Sequence, residues 1–248
     1  MEYLKNGFTL DIAPGCFPLS TDSIALAAFA KLPKNAKVLD LGAGCGTLGM
    51  LLCAAHKDCH VTGIELDENA SAAGTENAKA NKSEDRYTSI CGDLREIEGL
   101  TKAGSFQVCL SNPPYFSGGA ASKDHAIARQ EQVCTPEDLF RAASWALQWG
   151  GDFFLVHKPE RLAQLCACAE KYNLEPKTLL LLRHRKDGPV SLILLQCRKG
   201  GKPGLAWQEQ YLYEADGTPS DYFNSLYRLE VYYGRYVIFS PHSHRQSG

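Results

Sequence analysis

The sequence predicts an α/β fold, a mostly parallel sheet of seven strands with one antiparallel strand and helices on both faces. Three observations predict it. Short apolar runs alternate with helix-forming stretches from Lys37 onward, a glycine-rich turn joins the first run to its helix, and the last two apolar runs leave no room for a helix between them.

Each element has a local reason. Ser20 or Thr21 caps the apolar stretch Ile24 to Leu32, which Pro33 ends, so a helix comes first. Lys37 to Leu41 reads as a buried strand, and Gly42 to Gly49 turns the chain into the apolar helix Leu48 to Ala55. His60 to Glu65 is the next strand and the alanine-rich Glu68 to Asn81 the next helix. Tyr87 to Cys91 and Phe106 to Ser111 follow as strands around the weakly helical Leu94 to Lys102. Ser117 to Lys123 is small, polar and rich in breakers, a loop able to close over a substrate. Thr135-Pro136-Glu137-Asp138 combines an N-cap, a proline at the first helical position and first-turn acids, and Gly150-Gly151 is expected to stop that helix. Phe153 to His157 is the fifth strand. Pro159 opens a helix with Leu162, Leu165, Cys166 and Ala169 on one face, and Leu179 to Leu182 pairs antiparallel with Val190 to Gln196.

At 248 residues one domain suffices, read as a helical extension over 1–35, a core over 36–222 and an aromatic-rich tail over 223–248. No apolar run approaches the ~18 residues that span a bilayer, and no signal-peptide pattern opens the chain, so no membrane partner and a cytoplasmic location are expected. The ten cysteines include no Cys-x-x-Cys pair, so no metal is expected. A formal charge of −2 argues against a protein that coats nucleic acid, but the charge is uneven. Residues 1–150 hold 13 Lys and Arg against 18 Asp and Glu, whereas 151–248 hold 13 against 10, so a polyanion would meet the second half. Composition does not speak to oligomeric state.

Asp40-Leu-Gly42-Ala-Gly44-Cys-Gly46 follows the first core strand, where residues without Cβ let backbone approach a nucleotide. A dinucleotide fingerprint beginning at Gly42 would need its third glycine at Thr47, so the phase opposes NAD or FAD. S-adenosylmethionine has no pyrophosphate and needs instead a ribose anchor, which Glu65 at the end of a strand can supply. Asp93 suits either the adenine amino group or the cap of the helix at Leu94, and Asp40 either the methionine amine or a brace for the glycine turn.

Asn112-Pro113-Pro114-Tyr115 lies just beyond the fourth core strand. An amino group conjugated to a ring or carbonyl is a poor nucleophile, and two acceptors for its N–H hydrogens help it rehybridise. The Asn112 side-chain oxygen and the Pro113 carbonyl are such acceptors, consecutive prolines remove competing donors, and Tyr115 can stack on a planar substrate.

With these segments in view, the chain resembles the bacterial tRNA-valine (adenine-N6) methyltransferase family, within the Asn-Pro-Pro-Tyr amino-methyltransferases. The resemblance rests on Thr21-Asp22, Val38 to Gly46, Ile64-Glu65-Leu66, Asn112 to Phe116, Ala128-Arg129-Gln130-Glu131, Leu155 to Arg161, Lys199 to Gly204 and Tyr213 to Asp216. It covers about residues 8–222 and departs from the family after that, in the Tyr- and His-rich tail. It implies a Rossmann-like class I methyltransferase fold, S-adenosyl-L-methionine as cofactor and N6-methylation of the tRNA adenosine next to the anticodon. It further implies Asn112 to Tyr115 as catalytic motif, Asp22, Asp40, Gly42, Gly44, Gly46, Glu65, Asp93 and Asn112 on the cofactor, and tRNA as partner. An unstacked adenine needs a pocket and basic surroundings. Tyr115, Phe116, Arg129, Arg161, Arg185 and Lys186 are the substrate candidates, with Arg183, Lys199 and Lys202 as further cations. The rivals are methylation of a glutamine amide in a release factor, which shares Asn-Pro-Pro-Tyr, and a non-catalytic RNA-binding module, which intact Glu65 and Asn112 disfavour.

Overall fold

Residues 37 to 111 run as four strands, each feeding helix or helical turn and returning to the same sheet. The computed structural model describes residues 1–113 and 134–227. β1 (Glu2–Tyr3) and β2 (Thr9–Leu10) form a small antiparallel pair ahead of α1 (Thr21–Phe29), so the N-terminal extension is not helical throughout. The alternating core comprises β3 (Lys37–Leu41), α2 (Thr47–Ala55), β4 (His60–Glu65), α3 (Glu68–Ala80), β5 (Tyr87–Cys91), α4 (Ile97–Leu100) and β6 (Phe106–Ser111). Then come α5 (Pro136–Ala146), β7 (Leu147–His157), α6 (Leu162–Lys171), β8 (Leu174–Arg185), β9 (Val190–Lys199), β10 (Ala206–Tyr213) and α7 (Asp221–Tyr227).

The sheet order is β10-β8-β9-β7-β6-β3-β4-β5, and β9 alone runs against its neighbours. The expected mostly parallel sheet with one reversed strand is present, with β10 added as an eighth strand parallel to β8. Side chains along β3 alternate between two cores. Val38 packs with Leu26, Met50 and Leu52 on the face of α1 and α2, and Leu39 with Ile97, Phe140 and Leu165 on the face of α4, α5 and α6.

Several boundaries differ from expectation, and two of them change what is buried. α5 ends at Ala146 rather than at Gly150-Gly151, because Leu147 is already extended and buried in β7. Gly150, with φ +79°, belongs to the irregular start of β7, where the register with β6 shifts. α7 runs across the expected core–tail boundary and buries Phe223 and Leu226. Among the described residues no helix is long and apolar enough to cross a membrane. The loop expected over Ser117 to Lys123 and the tail beyond Tyr227 lie outside them.

Candidate active site

The order β7-β6-β3-β4-β5 brings five strand ends into one row. His157 closes β7, Asn112 follows β6, Gly42 follows β3, Glu65 closes β4 and Asp93 follows β5. At about 4.8 Å per strand the row spans about 19 Å. Its centre lies between β3 and β6, where the order of crossovers reverses and open α/β sheets form a crevice.

A cleft of about 510 Å³ occupies that crevice, lined by Gly42, Gly44, Glu65, Asp93, Asn112, Pro113 and His157 and covered on one side by Pro14 to Phe17. The volume suits a nucleoside-sized ligand. Gly42 and Gly44 take φ of +78° and +55°, and a Cβ on either would meet open space, so their backbone faces the cleft unobstructed.

Glu65 ties the glycine loop to β4. Its Oε2 accepts from the Gly44 N–H at 2.8 Å and its Oε1 from the Asp67 N–H at 2.9 Å. A carboxylate has about four acceptor positions, so capacity for a ligand's hydroxyls remains. Asp93 caps the turn that begins at Leu94, accepting from the Arg95 N–H at 2.8 Å. The Arg95 guanidinium also binds it, which holds its carboxyl below the ordinary aspartate range.

Asp40 behaves differently from both roles expected of it. It is 1% exposed, does not line the cleft, and neither carboxylate oxygen has a hydrogen-bond partner among the described residues. Burial, and secondarily the nearby Glu65, push it up to about 7. It therefore does not brace the loop through a hydrogen bond.

Gly46 also leaves the cleft lining, and its environment explains a group of glycines. The Tyr87 ring lies beneath the loop, and a Cβ at Gly46, Gly49 or Gly63 would come within 2.8, 2.2 or 2.5 Å of it. These glycines make room for a tyrosine rather than for a ligand. Gly49→Ala is accordingly expected to destabilise the protein by about 1–3 kcal/mol through overpacking. Urea unfolding measures this, and adding Tyr87→Leu should recover part of the loss; a Gly49→Ala protein as stable as the parent would refute the packing account.

Asp22 sits in the first turn of α1, outside the cleft lining. Its neighbour Ser23 accepts from Asn112 Nδ2 at 2.9 Å, so α1 touches the site through a residue that reads in sequence only as part of a helix start. His157, absent from the expected site residues, is buried at the cleft, and burial lowers its imidazole pKa. Its Nδ1 lies 2.8 Å from the Lys158 N–H, which places the ring proton on Nε2.

The candidate cations divide between two ends of the sheet. Arg161 follows β7 on the cleft end, with its guanidinium donating to Gln164. Arg185 and Lys186 lie at the end of β8 on the same side, about three strand spacings or ~14 Å from β6. Acids accompany them: Asp187 beside Arg185 and Glu214 at 3.2 Å from Lys186. Lys199 and Lys202 are at the opposite end, since β9 runs away from the cleft, and Lys199 donates to the Ser144 and Leu147 carbonyls at the end of α5. They do not belong to this site. Pro114, Tyr115, Phe116 and Arg129 lie outside the described residues.

Residues 19–165 match the family model described as "Methyltransferase small domain". The tRNA1(Val) (adenine(37)-N6)-methyltransferase of Photobacterium profundum is 28% identical over 86% of this chain and 91% of its own length. The protein of that name from Pectobacterium carotovorum subsp. carotovorum is 32% identical over 71% of this chain and 72% of its own. Among solved structures, a predicted O-methyltransferase from Agrobacterium tumefaciens superposes with a TM-score of 0.70 at 19% identity, covering 83% of this chain and 95% of that one. The Thermus thermophilus 16S rRNA N2 G1207 methyltransferase, solved with AdoMet and guanosine, gives 0.57 at 23%, covering 80% and 49%. The two structures share this chain's fold.

Proposed function

From the premise that the chain belongs to the methyltransferase small domain family, and within it to the tRNA1(Val) (adenine(37)-N6)-methyltransferases, we propose that it methylates N6 of the adenosine next to the anticodon of a valine tRNA. The observation that carries this reading is the row itself. Asn112 and Pro113 stand beside an open glycine loop and two strand-end carboxylates in one cleft.

The residues present fit S-adenosyl-L-methionine. Gly42 and Gly44 offer bare backbone, Glu65 retains acceptor positions for ribose hydroxyls, and Asp93 faces the cleft from β5, next in the row. When bound, this cofactor supplies a methyl group that is already electrophilic. The chain's task is then to hold the amino nitrogen in line with it. We assign the Asn112 side-chain oxygen and the Pro113 carbonyl to the two N–H hydrogens of adenine N6. These acceptors favour a tetrahedral nitrogen and stabilise its developing positive charge. Tyr115 and Phe116 are assigned to the planar base, and Arg129, Arg161, Arg185 and Lys186 to the surrounding RNA. Asp22 is assigned to the methionine end, and Asp40, buried and outside the cleft lining, is assigned no contact with the cofactor. We treat 1–248 as one catalytic domain, and a tRNA substrate suits a cytoplasmic location.

Purified protein given S-adenosylmethionine with a labelled methyl group and unmodified tRNA should label the tRNA, and digestion to nucleosides should release N6-methyladenosine. A methylated guanosine as the labelled nucleoside, or label confined to a protein fraction, would overturn the assignment.

A further inference from the structure

We infer that Ser23 is a positioning residue for Asn112, fixing which branch of its side-chain amide faces α1 and which is turned the other way. The inference rests on the reading that Asn112 accepts a hydrogen bond from the substrate's amino group.

The two ends of an asparagine amide have nearly the same shape, so only hydrogen bonding separates its two orientations. Asn112 follows β6 and Ser23 lies on α1, 89 residues away, yet Nδ2 meets the Ser23 oxygen at 2.9 Å. Ser23 is 5% exposed, so water competes little for either group. Its oxygen lies 3.4 Å from that of Ser20, the N-cap of α1, whose side chain also accepts from the Ser23 N–H. Either hydroxyl can donate in that contact, and in the sense in which Ser23 donates to Ser20 the Ser23 oxygen is left as an acceptor toward Asn112. An acceptor selects the amide's NH₂ branch and places Oδ1 on the other.

That orientation suits an amino substrate, whose N–H hydrogens need an acceptor. The reversed amide would set donor against donor. The helix that carries Ser23 is held at both ends. The Thr21 hydroxyl lies 2.6 Å from that of Tyr227 in α7, and Phe29 meets Phe154 of β7 edge-on with centroids 5.7 Å apart. α1 is thus fixed to α7 at its N-terminus and to the sheet at its C-terminal end, and Ser23 transmits that fixity to the reacting group.

The test compares Ser23→Ala, Ser23→Thr, Ser23→Cys, Asn112→Ala and the double variant Ser23→Ala/Asn112→Ala. Single-turnover methyl transfer to tRNA is measured at saturating cofactor, together with cofactor affinity by calorimetry. We expect Ser23→Ala to slow transfer by about tenfold or more with cofactor affinity unchanged. Ser23→Thr, which keeps the hydroxyl, should recover most of the rate, and the double variant should be no slower than Asn112→Ala alone. A merely structural serine would give losses that add in the double variant. Such additivity, a parental rate in Ser23→Ala, or a Ser23→Thr protein as slow as the alanine variant would each overturn the inference. Should Ser23→Ala fail to fold, Ser23→Cys decides. A weaker acceptor predicts an intermediate rate, and an unchanged one overturns the inference. Asn112→Ala at the parental rate would instead refute the underlying role of Asn112, a result separable from all of these.

Discussion

Asn112→Ala is expected to slow methyl transfer by about 10²–10³-fold, the usual cost of removing one group aimed at charge developing in a transition state. Cofactor affinity should stay within about twofold, because among the described residues the glycine loop is bonded to Glu65 and to the Ile64 carbonyl and not to Asn112. The loss should fall on the rate at saturation more than on the concentration of tRNA needed to reach it, as for an interaction strengthened only in the transition state. Rapid-quench measurement of labelled methyl transfer with calorimetric cofactor titration separates the two effects. Equal loss of transfer and of cofactor binding would move Asn112 from the chemistry to the cofactor pocket.

The second large effect concerns pH and Asp40. Its carboxyl is raised from the ordinary aspartate value of 3.8 to about 7 by burial and by Glu65. Between those limits the unfolded chain releases this proton and the folded chain keeps it. The unfolded state therefore binds fewer protons there, and Asp40's contribution to stability falls as pH rises through that window and is flat above it. At about 1.4 kcal/mol per pH unit, the loss reaches the order of a few kcal/mol. Asp40→Asn keeps the shape without the charge. Its unfolding free energy should match the parent below about pH 3.5, exceed it increasingly as pH rises to about 7, and keep that margin near pH 8.5. Parallel pH–stability curves for the two proteins would show that Asp40 is ionised at no comparable cost.

The row of strand ends was legible because each of its members follows an apolar run at a predictable place. Gly42 and Gly44, Glu65, Asp93 and Asn112 all stand at the cleft as local pattern requires. The state of Asp40 was not legible, since the same Asp-Leu-Gly string serves a carboxylate that bonds the loop and one buried with no hydrogen-bond partner among the described residues. Ser23 escapes for a different reason. Its hydroxyl meets Asn112 across 89 residues, and nothing in Ser-Thr-Asp-Ser distinguishes that contact from ordinary helix capping. β10 leaves little trace because only Leu212 among its eight residues is buried, so the alternation that marks a strand is nearly absent at this sheet edge. The start of β7 reads in sequence as the tail of a helix, because Leu147-Gln148-Trp149 continues the apolar spacing of α5.

The tyrosine beneath the glycine loop bears on how this sequence can diverge. Gly49 meets Tyr87 alone, whereas Gly63 also meets the Ala43 Cβ at 2.7 Å and Gly46 holds a left-handed backbone at φ +82°, so positions 49 and 87 form a single unit of inheritance. A descendant that first gains a side chain at Gly49 or Gly63 meets the ring and loses fitness. One that first exchanges Tyr87 for a smaller residue opens Gly49 to drift, while Gly63 stays closed by Ala43. Gly42 and Gly44, which face open space with left-handed backbone, gain no such freedom from that exchange. In an aligned set of relatives, substitutions at Gly49 should therefore track the residue at position 87, whereas positions 42 and 44 should vary independently of it.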